Sequence, residues 1–483
     1  MLLPSFIGRE GESKRILDLR KKDKPSLVVL MGRRRIGKST LIDQIGEKYK
    51  NYISIAGLAP REGMDNLDQI RNFHSQLQEH FKKSIPPFLD WYAALSVLAK
   101  LSQKGEWLVL LDEISWMGAY DNDFPGQLKV VWDKYFKKNN SMNLVLCGSV
   151  SSWIEKNILK NADFVGRVSL QMMLEELPLS ACNEFWGAKK NLISSLEKLK
   201  ILSLTGGVPK YLEEIVTSES AEKNILRLCF TPEGPLFSEF DKIFNEILLK
   251  RNATYNKIVR KLADRKYSMS DLARALKFKP NGDFSECLNN LEISGFIKKD
   301  AVYDLKGKKQ GVARYRLKDN YLRFYFKYIE PNRDKILSGN FSFDSVYQFS
   351  NWEVTVGFQF ENLILQNLAE LYKIMGINPS DIVSASPYLQ KASARTKGAC
   401  QIDLLITTQH KTIYVCEFKV RDQLDPSLIK EVQKKIQTLT IPRGYSVRPI
   451  LVFEGAMSEK SEQGLKGFFH QLVSFEDFFK VTN

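Results

Sequence analysis

Histidine, cysteine and long apolar stretches are all scarce in this sequence, and each shortage excludes a class of function. The 483 residues contain four histidines and six cysteines. The cysteines (Cys147, Cys182, Cys229, Cys287, Cys400 and Cys416) show no CxxC spacing, and none lies near a histidine in sequence. That excludes a zinc ribbon or a disulfide framework and points to reduced, buried thiols in a cytoplasmic setting. The longest apolar runs, such as residues 26–31 and 107–111, fall far short of the roughly 18 residues of a membrane span. Residues 1–10 lack a basic segment followed by an apolar core, so no secretory leader is expected. A membrane is not among the expected partners.

The composition is otherwise that of a globular chain, at 43% hydrophobic and 26% charged residues. Its length suggests about three domains. Lys and Arg number 71 against 56 Asp and Glu, a formal charge of +15. Such an excess suits a polyanionic partner, DNA first, although a solvated basic surface has the same composition.

The first ~185 residues alternate Val/Leu-rich runs (26–31, 107–111, 143–147) with longer amphipathic stretches, as in an α/β fold with a buried parallel sheet. Residues 186–249 read as helical. Residues 250–320 read as a winged helix: helices at 255–263, 271–276 (Ser270 as N-cap) and 283–293, then two β-runs joined by the basic turn 306–311. Such a module either reads DNA or packs against the nucleotide core. Residues 321–349 read as a linker. Residues 350–483 read as an α/β domain: a helix at 356–372, strands at 400–407 and 412–419, a helix at 426–439, a strand at 448–453 and a final helix.

Gly32-Arg33-Arg34-Arg35-Ile36-Gly37-Lys38-Ser39 fits G-x-x-x-x-G-K-[ST] at every fixed position. It follows an apolar run and, through Ser39 and Thr40, opens an amphipathic one, the context of a phosphate-binding loop. Its glycines let backbone N–H groups wrap ATP phosphates. Lys38 would reach the β- and γ-phosphates, and Ser39 would ligate Mg²⁺. The run 107–111 ends in Asp112-Glu113. Asp112 would hold Mg²⁺ through water, and Glu113 would orient or deprotonate the attacking water. Ser149, after the run 143–147, either senses the γ-phosphate or caps a helix. Arg167 is a candidate γ-phosphate arginine, in its own chain or across a subunit boundary.

In order along the chain stand Phe6-Ile-Gly-Arg-Glu10, the phosphate loop, Leu111-Asp-Glu113, Cys147-Gly-Ser149, Gly166-Arg167, Gly206-Gly-Val-Pro-Lys-Tyr-Leu212 and Arg314-Tyr-Arg-Leu-Lys-Asp-Asn-Tyr-Leu-Arg-Phe324. This series resembles the archaeal-type ATPases of the AAA+/STAND group, which carry a winged helix and a C-terminal restriction-endonuclease-like domain. The resemblance implies ATP binding with Gly8-Arg9-Glu10 near the nucleotide base and residues 206–209 in a helical lid (186–249). It also strengthens the phosphate role of Arg167.

In the last domain, Asp403 lies in one β-run and Glu417-x-Lys419 in the next, so Glu417 and Lys419 share a strand face. If the strands are neighbours, Asp403 and Glu417 would bind Mg²⁺ or Mn²⁺, and Lys419 would position a water for attack on a phosphodiester. Glu361, from the preceding helix, would add a carboxylate. The order resembles the PD-(D/E)xK nucleases, with Ile402 standing where that pattern has proline. Gln433 on the following helix would face the site or solvent. The rival reading is an ATP/ADP-controlled regulatory switch in which this fold is an inert binding module. The sequence leaves the oligomeric state open.

Overall fold

The described residues form two five-stranded sheets and a smaller three-stranded one, with helices packed around them. The computed structural model describes residues 6–149, 151–247, 252–392 and 398–481. The expected 249/250 boundary and residues 1–5 lie outside the described residues. The chain divides into two compact units rather than five modules. One gathers residues 6–175 with 242–247 and 289–295; the other gathers 176–241, 253–288 and 296–481.

The first unit holds a parallel five-stranded sheet of β1 (Ser26–Gly32), β2 (Asn51–Ala56), β3 (Trp107–Asp112), β4 (Met142–Gly148) and β5 (Val168–Leu174), in the order β2-β3-β4-β1-β5. The three central strands are apolar at nearly every position because both faces are covered. Leu27, Val29 and Met31 pack on one side with Val109 and Leu144. Val28 and Leu30 pack on the other with Leu108 and Val145. The two strands without a continuous apolar run, β2 and β5, are the edges, where one face is wet.

Residues 252–317, most of which belong to the second unit, fold as helices Asn252–Asp264, Met269–Leu276 and Gly282–Ile293 with strands β6 (Tyr267–Ser268), β7 (Ile297–Tyr303) and β8 (Lys309–Leu317) in an antiparallel sheet. The second helix starts earlier than expected. Its N-cap is Ser268, whose hydroxyl accepts the Asp271 N–H, not Ser270. The basic turn after β7 is not a free wing. Leu305 is buried in a cluster with Cys400, Ile402 and Leu405, and its carbonyl accepts the Thr407 hydroxyl. At Gly307 (φ +81°), an added Cβ would lie 2.5 Å from Val383 Cγ1.

The last sheet runs β13-β12-β11-β10-β9, with β9 (Ile382–Gln390), β10 (Cys400–Thr408), β11 (Thr412–Leu424), β12 (Ser446–Met457) and β13 (Gln471–Ser474). Strands β9, β10 and β11 pair antiparallel; β11, β12 and β13 pair parallel. The helix Ser427–Thr438 connects β11 to β12 and buries Leu428 and Val432, one turn apart. The long helix expected at 356–372 is two helices, Trp352–Gln366 and Leu368–Met375, broken at Asn367, whose side chain accepts the Leu179 N–H.

Residues 321–349 are not a linker. Tyr321 and Phe324 are fully buried, and Phe341, Phe343 and Phe349 gather around Phe230. Beside them, Arg323 is buried among neutral acceptors. It donates to Gln359 Oε1 (2.7 Å), Leu317 O (3.2 Å) and Ala263 O (3.3 Å), and Gln359 in turn donates to Ser203 O and Asn320 O. Desolvation lowers the Arg323 guanidinium to about 10. Five segments of the second unit meet on this one pair. Arg323→Met would take the guanidinium donor from Gln359 Oε1 and Ala263 O, while Leu317 O keeps Asn362 Nδ2. We expect a loss on the order of 3 kcal/mol, seen as a lower urea midpoint; an unchanged midpoint would show that the pair holds nothing together.

Candidate functional site

Parallel strands put the loops after their carboxyl ends on one edge of the sheet. In the first unit those loops follow β1, β3 and β4. After β1 the chain turns sharply: Gly32 has φ +153° and lies against Leu174 O, where a Cβ would approach to 2.7 Å. Arg35 (φ 70°) and Gly37 (φ 83°) complete the left-handed turns before the helix Lys38–Gly46. The Ile36 side chain is fully buried in the core, which anchors the loop. Lys38 is buried and donates to the carbonyls of Gly32 and Arg33, both at 3.0 Å, so it folds back over the loop it serves.

Ser39 and Asp112 meet directly. The Ser39 hydroxyl donates to Asp112 Oδ2 at 2.6 Å, and Asp112 Oδ1 accepts the Glu113 N–H. These are the two oxygen donors that Mg²⁺ needs beside a nucleotide phosphate. Glu113 takes a left-handed conformation (φ 48°). Its Oε2 accepts both the Ser149 N–H (2.9 Å) and the Ser149 hydroxyl (2.8 Å). The Ser149 hydroxyl is thus engaged with Glu113 rather than with a helix terminus. At Gly148 an added Cβ would press on Ile154 Cδ1 at 3.1 Å, with the Ser115 hydroxyl (3.5 Å) and Glu113 Oε2 (3.7 Å) at ordinary contact distance. Nothing in the sequence singled out Ser115.

Two expected site residues lie differently. Arg9 is buried and donates to Ile36 O (3.3 Å) and Glu175 O (2.6 Å). It braces the phosphate loop. Arg167 is at the wrong end of the sheet for its own phosphate loop. It precedes Val168, which pairs with Leu27 at the start of β1, whereas the loop follows Gly32, which pairs with Leu174. Five residues of strand at about 3.3 Å each separate the two ends. Arg167 instead pairs with Asp133 (2.7 Å), whose carboxyl it holds down near 2. A γ-phosphate contact by Arg167 in its own chain is therefore corrected. Arg33, Arg34 and Thr40 lie in or just after the loop; Arg33 is buried and Thr40 is exposed.

In the second unit, β10 and β11 are neighbours, which brings Asp403 and Glu417 together. Asp403 Oδ2 accepts the Phe418 N–H at 2.9 Å. Burial first, and then the charge of Glu417, raise the Asp403 carboxyl to about 6. Glu417 is buried; its Oε2 has no hydrogen-bond partner among the described residues. Lys419 lies 3.4 Å from Glu417 and donates to Glu431 at 2.7 Å. Two lysines outside the expected pattern complete the cluster: Lys435 pairs with Glu417 Oε1, and Lys266 with Glu361. The pairing with Lys266 corrects the expectation that Glu361 is a ready metal ligand. Among the described residues no group of three or more His, Cys, Asp or Glu could hold a metal ion. Gln433 is exposed; Glu431 and Lys435, spaced i and i+4, face the site instead.

The geometry of Glu113 yields a direct test. Removal of its charge should leave nucleotide binding intact and remove activation of water. We expect Glu113→Gln to retain ATP with a Kd within a few-fold of wild type and to lower kcat by about 10²–10⁴. Wild-type turnover in Glu113→Gln would move the base elsewhere.

Residues 6–215 match the family described as an ATPase domain predominantly from Archaea. An uncharacterized protein of Methanocaldococcus jannaschii is 25% identical over 378 residues, spanning 76% of this chain and 78% of that one. A Walker-type ATPase of Pyrococcus abyssi, at 20% identity and a TM-score of 0.50, covers 68% of this chain and 99% of its own, a likeness of fold. No helix among the described residues is long and apolar enough to cross a membrane. Sequence match, sheet and phosphate-loop geometry agree: residues 6–215 resemble the archaeal-type ATPase domain and have the fold and phosphate loop of an ATP-binding P-loop ATPase.

Proposed function

We propose that this ATPase is of the AAA+/STAND kind and that its nucleotide state governs a PD-(D/E)xK-like module that cuts or grips DNA. The observation that carries the reading is the pair Asp403 and Glu417 on adjacent strands, with Lys419 beside them and Glu417 Oε2 buried without a partner among the described residues. Two hard oxygen donors with an unsatisfied buried atom fit one Mg²⁺ or Mn²⁺. Asp403 and Glu417 would hold it, and the ion would supply Lewis-acid stabilisation of a phosphodiester and an acidified water. Lys419 would orient that water from the same strand face. In the ATPase domain, Ser39 and Asp112 would hold Mg²⁺, Lys38 would bind the phosphates and Glu113 would position the attacking water.

The charge of +15 and the helix and strand order of residues 252–317, which is that of a winged helix, support DNA as the partner. Lys306, Lys308 and Lys309 remain exposed on the docked turn and would meet phosphates rather than base edges. Arg167, whose guanidinium faces Asp133, would act on nucleotide only across a subunit boundary.

The second reading is a regulatory switch with a catalytically inert module. The lysines seated on Glu361 and Glu417, in a cluster without a third metal ligand, favour it.

Supercoiled, linear and branched DNA incubated with Mg²⁺ or Mn²⁺, with and without ATP, separates the two. The nuclease reading expects cleavage by wild type, a loss of at least about a hundredfold in Lys419→Ala, and a changed ATP response in Lys38→Ala. DNA left intact throughout would select the inert module. A DNA affinity flat against salt would exclude phosphate contacts altogether.

A further inference from the structure

The cation on Glu417 is not the lysine of the Glu-x-Lys pattern. Lys419 stands 3.4 Å from Glu417 but gives its short contact, 2.7 Å, to Glu431. The ammonium that closes on Glu417 Oε1 belongs to Lys435, two turns into the helix Ser427–Thr438. The backbone carbonyl of Lys435 accepts the Cys400 thiol at the start of β10, which holds this turn of the helix against the strand of Asp403. Asp403 is also within the electrostatic reach of Lys435. The carboxylate oxygen left over, Glu417 Oε2, is buried and has no hydrogen-bond partner among the described residues.

We propose that Lys435 is the resident counter-cation of the Asp403–Glu417 pair: it neutralises Glu417 when no divalent ion is bound, and its charge sets how weakly the pair takes one. The proposal rests on the metal reading of this site given above. A buried carboxylate costs several kcal/mol unless a cation accompanies it. Without Lys435, Glu417 and Asp403 would face each other with Lys419 drawn toward Glu431. With Lys435 in place, an arriving Mg²⁺ or Mn²⁺ must share Glu417 with an ammonium group. Displaced from Glu417, Lys435 has a second partner on its own helix, Glu431, at 3.8 Å. It would then remain beside Lys419 as a second cation facing a bound phosphodiester. Lys435 is thus a positioning residue, acting through Glu417.

The test reads metal affinity directly. Mn²⁺ binding is followed by electron paramagnetic resonance on the full chain without nucleotide. Every form carries Asp112→Asn, so that the phosphate-loop site does not contribute, and Glu417→Gln defines the signal of the second site. A positive charge about 5 Å from a dication changes affinity roughly tenfold even at the dielectric of water. We expect Lys435→Met to bind Mn²⁺ at least about tenfold more tightly and Lys435→Arg to stay within about threefold of the parent. Lys435→Gln keeps a hydrogen-bond donor for Glu417 without the charge. It should tighten binding as Lys435→Met does, and it carries the test if the methionine form fails to fold. A Glu417-dependent site whose affinity is unchanged or weaker in the neutral variants overturns the role of Lys435 alone. No Glu417-dependent Mn²⁺ signal in any form overturns the metal reading and this proposal with it.

Discussion

The hydrogen-bonded register of β1, β3 and β4 is the constraint on which the nucleotide site depends. Met31 is level with Gly148, and Leu111 with Leu146, so the loops after all three strands open on one edge. That alone brings Ser39 against Asp112 and Ser149 against the adjacent Glu113, although 110 positions separate Ser39 from Ser149. The loop residues then need little beyond local geometry: a glycine with no room for a side chain, left-handed turns, and a buried isoleucine as anchor. The same register disposes of Arg167, because a residue that enters β5 beside Leu27 starts from the opposite edge.

The second unit is organised by buried charge rather than by register alone. Arg323 and Gln359 tie five segments together through neutral acceptors. Close by, Glu361 and Glu417 are buried and Asp403 is half-buried, and lysines from three different elements stand against them. Such a cluster is stable only when the signs balance. The pattern Asp…Glu-x-Lys therefore accounts for half of the site; the compensating charges come from the strand β6 region and from the crossover helix.

Legibility in the sequence tracked burial. Strands β1, β3 and β4, covered on both faces, show as continuous apolar runs, and the phosphate loop shows as a fixed spacing. The edge strands β2 and β5 alternate with polar residues, and β9 contains Pro387, so none of them stood out. Residues 321–349 look like a connector because their aromatics lack a simple period; they are buried through ring contacts with Phe230, 94 to 119 positions earlier. Asp403, Glu417 and Lys419 were readable because two adjacent strands carry them. Lys266 and Lys435 were not, since a surface lysine and a lysine that neutralises a buried acid are the same letter until the fold brings the acid to it.

The turn at Gly307 has a consequence for how this protein can change over time. With Leu305 serving as core for the last sheet and no room for a side chain at Gly307 against Val383, the length of that turn is fixed by the position of β9. An insertion there could not be absorbed as a surface loop usually absorbs one. Lineages that lengthen the turn must shift β9 as well, so the two stretches should vary as a pair, and the segment from β7 to β10 should be inherited as one block.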